Sequence, residues 1–191
     1  MTNRLINLIT YNIYKQNIIN HVDLRKMQYG MQVVLNEFIK IATLLFLFHM
    51  INQIPLFLFS FAVLVSIRLY SGGLHNKTTL GCFITSLGFF LITVLVPQYF
   101  NNISVFTSCL LTLMSIIIIY IYSPVTSDYR PIKYNQRIIR AKYTSVIITL
   151  LWVGILYLIV KNNTFFTSGL LTLSIHSLQL ILGRRINHVR V

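Results

Sequence analysis

Apolar and polar residues alternate in long blocks along this chain. A helix needs about 20 mostly apolar residues to cross the hydrocarbon core of a bilayer. Six apolar stretches approach this length, although the second must tilt, be extended by its flanks or not fully span: Val33–Met50, Ile54–Ile67, Leu80–Val96, Ile103–Tyr122, Thr144–Val160 and Phe165–Leu182. The pattern predicts an all-α, polytopic integral membrane protein with about six transmembrane helices.

The residues ahead of the first stretch follow a different pattern. Apolar side chains fall near helical spacing among asparagine, lysine and arginine, as in Leu5, Ile9 and Ile13. This favours an amino-terminal amphipathic helix that lies in the membrane surface. We assign it to a cytoplasmic or interfacial segment at residues 1–30, and expect residues 1–191 to form a single integral membrane domain.

Composition supports a bilayer location. Hydrophobic residues make up 55% of the 191 residues, charged residues make up 10%, and the mean hydropathy is +0.72, which is far from the usage of an average soluble domain. No removable signal peptide is expected at the amino end. The two cysteines, Cys82 and Cys109, are too few for a disulfide scaffold. We expect both to be reduced and to lie at different depths, with Cys109 packed in the middle of a span.

The formal net charge of +13 is compatible with nucleic acid, anionic lipid or an acidic peptide as a partner. Fourteen of the sixteen lysine and arginine residues lie in alternate connections, with Lys161 opposite and Lys40 inside a span. The positive-inside rule then places both termini in the cytoplasm and the protein in the cell membrane. The absence of interleaved aromatic and basic residues argues against nucleic acid, while the location of the charges suits anionic lipids of the inner leaflet.

The polar break "SGGLHNKTTLGC" at residues 71–82 brings a histidine, two glycines and a cysteine together. In one continuous helix, His75 and Cys82 would lie about 10 Å apart along the axis, which is too far to share a proton. The glycine pair can break the helix, and Asn76, Thr78 or Thr79 could cap a new helix that starts just before Cys82.

A cysteine in the first turn of a helix lies where backbone N–H groups favour a thiolate. His75 could then remove the thiol proton and later return it to a leaving amine, which is the Cys/His arrangement of nucleophilic catalysis. The alternative is a packed, hydrophobic Cys82 and a His75 that contacts lipid headgroups. Spacing alone leaves both interpretations open.

The sequence contains no recognisable metal-binding motif. There is no HExxH motif, no paired CxxC motif and no helix with two carboxylates, so neither a metal nor a cofactor is expected. Glu37 and Lys40 are three residues apart on the first span, and we expect them to neutralise each other. His176 and Gln179, three residues apart on the last span, are expected to form hydrogen bonds between helices.

Three segments resemble a known family. "RLYSGGLHNKTTLGC" is similar to the Arg-x-x-x-x-Gly-x-His-x6-Cys core of the accessory gene regulator protein B (AgrB) family of bacterial quorum-sensing peptidases. "YGMQVVLNEFIKI" resembles the Gly-Met-Gln segment of that family, and "YSPVTSDYRPIKYNQRIIRAKY" resembles its Tyr-x-Pro segment and basic loop. The similarity covers most of the chain.

The resemblance implies a membrane cysteine endopeptidase that removes the carboxyl-terminal tail of an AgrD-type autoinducing peptide precursor. Cleavage would pass through a thioester on Cys82, with His75 as the base, in a catalytic loop at residues 68–82. The new acyl end would then close a thiolactone or lactone ring. The implied partners are the precursor with its acidic tail and membrane lipids, and a homodimer is plausible on the same ground.

Four further positions follow from the resemblance. Gly73 would shape the turn, and Gln32 and Arg68 match polar positions that the family associates with activity. Gln32 could donate to an oxyanion and Arg68 could hold a substrate carboxylate, but either could equally brace the loop. In the basic cytoplasmic loop at residues 123–143, Arg130 keeps a charge where family members often carry several lysines.

Two other classes compete with the peptidase. A small transporter or peptide exporter without covalent catalysis should show polar or broken spans near the midplane. Apart from Cys109, the charged or titratable side chains well inside the spans are Glu37, Lys40 and His176. These are few polar groups to line a transport path. A non-catalytic membrane assembly protein is the third class. Both alternatives predict that Cys82→Ala and His75→Ala leave function intact.

Overall fold

The computed structural model describes residues 20–74, 78–100, 102–125 and 135–188. Within these residues it contains six helices, all long and apolar enough to cross a membrane: α1 His21–Met50, α2 Ile54–Ser71, α3 Thr79–Tyr99, α4 Val105–Tyr122, α5 Asn135–Leu158 and α6 Asn163–His188. The predicted all-α, polytopic membrane architecture is confirmed. The amphipathic helix predicted before α1 lies outside the described residues.

Several helix boundaries differ from the predicted ones. The first helix begins at His21, so residues 21–30 of the predicted surface segment are continuous with the first span. The second helix continues to Ser71, which means that its carboxyl-terminal flank extends the short apolar stretch. The fifth begins at Asn135, so the last part of the predicted 123–143 loop is helical. Residues 135–143 contain neither glycine nor proline and include good helix formers such as glutamine, arginine, alanine and lysine.

The chain divides into two compact units, residues 1–51 and 52–191. In the first unit, α1 carries two ion pairs between residues three apart. Lys26 Nζ lies 3.0 Å from Asp23 Oδ1, and Lys40 Nζ lies 2.5 Å from Glu37 Oε2. The second pair confirms the predicted neutralisation inside the first span.

The second unit is a bundle of α2 to α6 in which α6 is the central helix and packs against each of the other four. Its apolar core includes Ile67, Ile119, Leu156, Leu173 and Leu180. Small hydroxyl side chains lie between the helices: Ser168 Oγ donates to the Thr93 carbonyl at 2.7 Å and lies 2.6 Å from Ser60 Oγ. Small side chains let membrane helices approach closely, and such hydrogen bonds keep their polar atoms paired.

The bundle has two distinct ends. At the glycine end, Gly72 pairs with Val125 after α4, and Gly183 near the end of α6 lies beside them. At the asparagine end, Asn163 Nδ2 donates to Asn102 Oδ1 at 3.3 Å. Among the described residues of this unit, Lys161 is the one lysine or arginine at the asparagine end, and the others belong to the glycine end: Arg68, Arg137, Arg140, Lys142, Arg184 and Arg185.

Candidate active site

Cys82 lies in the first turn of α3. Thr78 is the N-cap: its Oγ1 accepts a hydrogen bond from Gly81 N at 3.1 Å, and its carbonyl accepts one from Cys82 N at 3.0 Å. A threonine cap satisfies one of the backbone N–H groups that a helix start leaves unpaired. The helix therefore begins just before Cys82, as predicted, and the thiol residue is partly buried.

The glycine segment, Ser71–Leu74, forms the described start of the connection between α2 and α3. Gly72 ends the helix with φ 74° and ψ −150°, a backbone conformation that is essentially restricted to glycine. Val125 N donates to the Ser71 carbonyl at 2.8 Å, and a Cβ atom on Gly72 would overlap the Val125 carbonyl oxygen. The helix break predicted at the glycine pair is thus present, and its backbone is held against the end of α4.

Gly73 is the second residue of the glycine pair, and the resemblance expects it to shape the turn. Of the two glycines, Gly72 has the positive φ. Gly73 is buried where space is short. A Cβ atom there would lie 3.2 Å from Arg68 Nε, and one on Gly183 would lie 3.4 Å from the Gly73 carbonyl oxygen. Gly73 therefore permits the close approach of the Arg68 guanidinium, and Gly183 permits close packing of α6 on the segment.

Arg68 folds back over the glycine segment. Its Nη2 donates to the Leu74 carbonyl at 2.9 Å, and its guanidinium lies next to Gly73. Sequence left two roles open for this arginine, a carboxylate contact and a brace for the loop. The observed hydrogen bond to the Leu74 carbonyl is compatible with the second of these roles.

Ser71 is attached to α6 through a buried histidine. Ser71 Oγ and His176 Nε2 are 2.8 Å apart, although the residues are 105 positions apart in the chain, and both side chains are fully buried. The interhelical bond predicted for His176 is confirmed, whereas Gln179 Oε1 has no hydrogen-bond partner among the described residues. Sequence reasoning missed Ser71, Val125 and Gly183 as contacts of this segment. Only the position of Ser71 beside the glycine pair could have indicated it.

The other predicted site residues are His75, Arg130 and Gln32. His75 and Arg130 lie outside the described residues. Gln32 is a partly buried residue of α1 in the first unit. The loop predicted at residues 68–82 is shorter, because α2 continues to Ser71 and α3 starts at Thr79.

Cys109 was predicted to pack in the middle of a span, and this is wrong. It is the fifth residue of α4, which starts after the N-cap Ser104, and its side chain is exposed. Its neighbours along the helix, Phe106, Leu110 and Leu113, are exposed as well, as expected for a lipid-facing surface. Cys82 and Cys109 are both free, as predicted for reduced thiols.

Fold and site together define a polytopic α-helical membrane protein with a cysteine in the first turn of a capped helix, next to a braced glycine segment. The family model for accessory gene regulator B matches residues 6–180. The chain belongs to the accessory gene regulator B family, whose members act in accessory gene regulation, a quorum-sensing system.

Individual relatives agree with this assignment. The chain is similar to an AgrB-like protein of Clostridium beijerinckii, with 30% identity over 80% of this chain and 75% of the relative. It is also similar to accessory gene regulator protein B of Staphylococcus aureus strain bovine RF122 / ET3-1, with 32% identity over 83% and 82%. The protein of the same name from strain MRSA252 is 26% identical over 88% and 89%. No solved structure matches the chain.

Proposed function

We propose that this protein is a membrane cysteine endopeptidase that cuts the carboxyl-terminal tail from an AgrD-type precursor and promotes cyclisation of the remaining peptide. The observation that carries the proposal is the placement of Cys82 in the first turn of α3, after a capped start. The preceding glycine segment is fixed by Arg68 and Val125, and its last residue, Leu74, is joined directly to His75 in the chain.

In the first step, His75 takes the proton of the Cys82 thiol and the sulfur attacks a carbonyl carbon of the precursor. Cys82 lies in the first turn of α3, the end of a helix at which the macrodipole stabilises negative charge that develops nearby. The carbon–nitrogen bond then breaks, and the tail leaves as an amine that receives its proton from His75. A thioester between the peptide and Cys82 remains.

In the second step, a cysteine thiol or serine hydroxyl within the precursor attacks the thioester carbonyl. The Cys82 sulfur leaves and recovers a proton through His75, and a thiolactone or lactone is released. Partial burial of Cys82 favours this outcome over hydrolysis by limiting access of water. Forming a thioester from an amide is uphill, so removal of the tail or of the ring draws the reaction forward.

The charge distribution suggests where the precursor binds. The glycine end holds exposed cations of the second unit, including Arg137, Arg140 and Arg185. We assign this end and both termini to the cytoplasmic side, where these cations attract anionic lipids and an acidic tail. Arg68 braces the segment in this scheme, while the oxyanion role of Gln32, the tail contact of Arg130 and a homodimer stay predictions from the resemblance.

Co-expression with an AgrD-type precursor tests the proposal. Cys82→Ala and His75→Ala should each abolish release of the tail, measured by mass spectrometry of the precursor fragments. Cys109→Ala and His49→Ala are matched controls, because both residues are exposed and neither belongs to the site; both variants should cleave normally. Normal cleavage by Cys82→Ala would reject the enzyme and favour a transporter or an assembly protein.

A further inference from the structure

The central helix α6 contacts the glycine segment at two points. His176 Nε2 lies 2.8 Å from Ser71 Oγ, and Gly183 lies against the Gly73 carbonyl. The two residues are seven positions apart, which is about two helical turns and puts them on the same face. One face of α6 therefore supports the backbone that leads to His75.

Ser71 fixes the start of the glycine segment through both its backbone and its side chain. Its carbonyl accepts the hydrogen bond from Val125 N at 2.8 Å, and its hydroxyl contacts His176 and lies 3.3 Å from the Gly72 carbonyl oxygen. Arg68 holds the other end of the segment at Leu74. The four residues of the glycine segment are thus held from three places: Arg68 of α2, Val125 after α4, and His176 of α6.

His176 is a polar residue among apolar ones, and it has no part in the proposed chemistry. Apolar side chains fill the neighbouring core positions of α6, such as Leu173 and Leu180, and His176 is fully buried. Its Nδ1 has no hydrogen-bond partner among the described residues. The bond to Ser71 is therefore what a polar ring contributes here, and loss of either partner would leave the other buried without it.

We propose that His176 is a positioning residue of the active site: through Ser71 it fixes the glycine segment, which directly precedes His75 in the chain. This inference rests on the proposed peptidase function. His176 touches neither substrate nor reacting atoms in this role. Its loss should therefore lower kcat and leave KM near the wild-type value.

The test compares His176→Leu, His176→Gln and Ser71→Ala in proteoliposomes, with cleavage of a synthetic precursor as the assay. His176→Leu and Ser71→Ala should lower kcat about 10- to 100-fold, since small misplacements of catalytic groups cost this much. His176→Gln should recover most of the activity, because its side-chain amide can occupy the position of Nε2. The double variant His176→Leu/Ser71→Ala should be no slower than the worse single variant, as expected for partners in one interaction.

Gln179→Leu is the matched control, because it removes a polar side chain one turn along α6 whose Oε1 has no hydrogen-bond partner among the described residues. It should leave kcat unchanged. Wild-type kcat in His176→Leu or in Ser71→Ala would overturn the inference, and so would an effect confined to KM. If His176→Leu fails to accumulate in the membrane, Ser71→Ala removes the same bond with the loss of one atom and decides the question.

Failure of the two proposals gives different results. If Cys82→Ala and His75→Ala retain cleavage, the peptidase function is rejected. If both abolish cleavage but His176→Leu and Ser71→Ala cleave at the wild-type rate, only the positioning role is rejected.

Discussion

The connection before α3 and the connection before α4 start their helices in the same way. Thr78 caps α3 through Gly81 N at 3.1 Å, and Ser104 caps α4 through Thr107 N at 3.2 Å. Each new helix then carries a cysteine near its beginning, Cys82 or Cys109. By local chemistry alone, the two regions are nearly equivalent.

Their tertiary surroundings differ. The glycine segment before α3 forms hydrogen bonds with α2, with α6 and with Val125, three residues after the end of α4. Before α4, the described residues Phe100, Asn102 and Ser104 are exposed, and the contact to α6 is the surface hydrogen bond between Asn102 and Asn163. Capping starts a helix at either place. Among the described residues, the first connection is the one held by several elements, which is the support that the proposed catalytic geometry would need.

The largest expected difference is that the glycine end and the asparagine end face opposite sides of the membrane. In a Cys82→Ala/Cys109→Ala background, a membrane-impermeant maleimide applied to intact cells should label Asn102→Cys and not Arg185→Cys. Both positions are exposed, and the positive-inside rule, applied to the cations at the glycine end, predicts that this end faces the cytoplasm. As a control, permeabilising the cells should allow labelling of both cysteine variants. The reverse pattern would contradict the orientation and the cytoplasmic site.

Substitution of Gly72 should have the next largest effect, a loss of precursor cleavage. Gly72→Ala places a Cβ atom onto the Val125 carbonyl and forces an unfavourable backbone conformation. We expect cleavage to fall about 100-fold, because the residues that follow are displaced. Gly88→Ala is the matched control, since a Cβ atom there meets nothing within 4 Å. Equal activities of the two variants would show that the turn does not support the site.

Arg68→Gln removes the hydrogen bond to the Leu74 carbonyl. We expect about a 10-fold loss in kcat with KM unchanged, since a brace acts through the position of the loop. Arg184→Gln is the control, because that arginine also donates to a carbonyl at the glycine end, Ile121 O at 3.1 Å. A rise in KM alone for Arg68→Gln would instead assign the arginine to a substrate carboxylate.

The two caps give the smallest effects. Thr78→Ala and Ser104→Ala should each cost about 1 kcal/mol of local helix stability, as lost N-caps generally do. Thr78→Ala should also slow cleavage a few-fold, because it loosens the turn that carries Cys82, whereas Ser104→Ala should not. Thermal unfolding in detergent and cleavage assays measure the two properties separately, and equal cleavage by both variants would remove the distinction between the connections.

Sequence predicted the features that depend on neighbouring residues. Long apolar blocks gave the six spans, the Gly72-Gly73 pair gave the helix break, and Thr78 was among the three expected caps of α3. The extra turn of α2 through Ser71 was one of the options for a short apolar stretch.

Features that depend on distant residues were not predictable in the same way. Neither the contact between Ser71 and His176 nor that between Gly73 and Gly183 leaves a pattern along the chain, because each joins positions more than a hundred residues apart. The contact between Gly72 and the Val125 carbonyl has the same origin, since 53 positions separate the two residues.

The most direct measurement is the mass of the peptide that contains Cys82 after reaction with the precursor. Cys82 and Cys109 lie in one tryptic fragment, since no lysine or arginine occurs between them, so the experiment uses the Cys109→Ala protein. We predict an adduct equal in mass to the precursor without its tail, attached to Cys82 and removed by neutral hydroxylamine as a thioester. Cleavage of the precursor with no such adduct, or an adduct that persists in Cys82→Ala, would contradict covalent catalysis by Cys82.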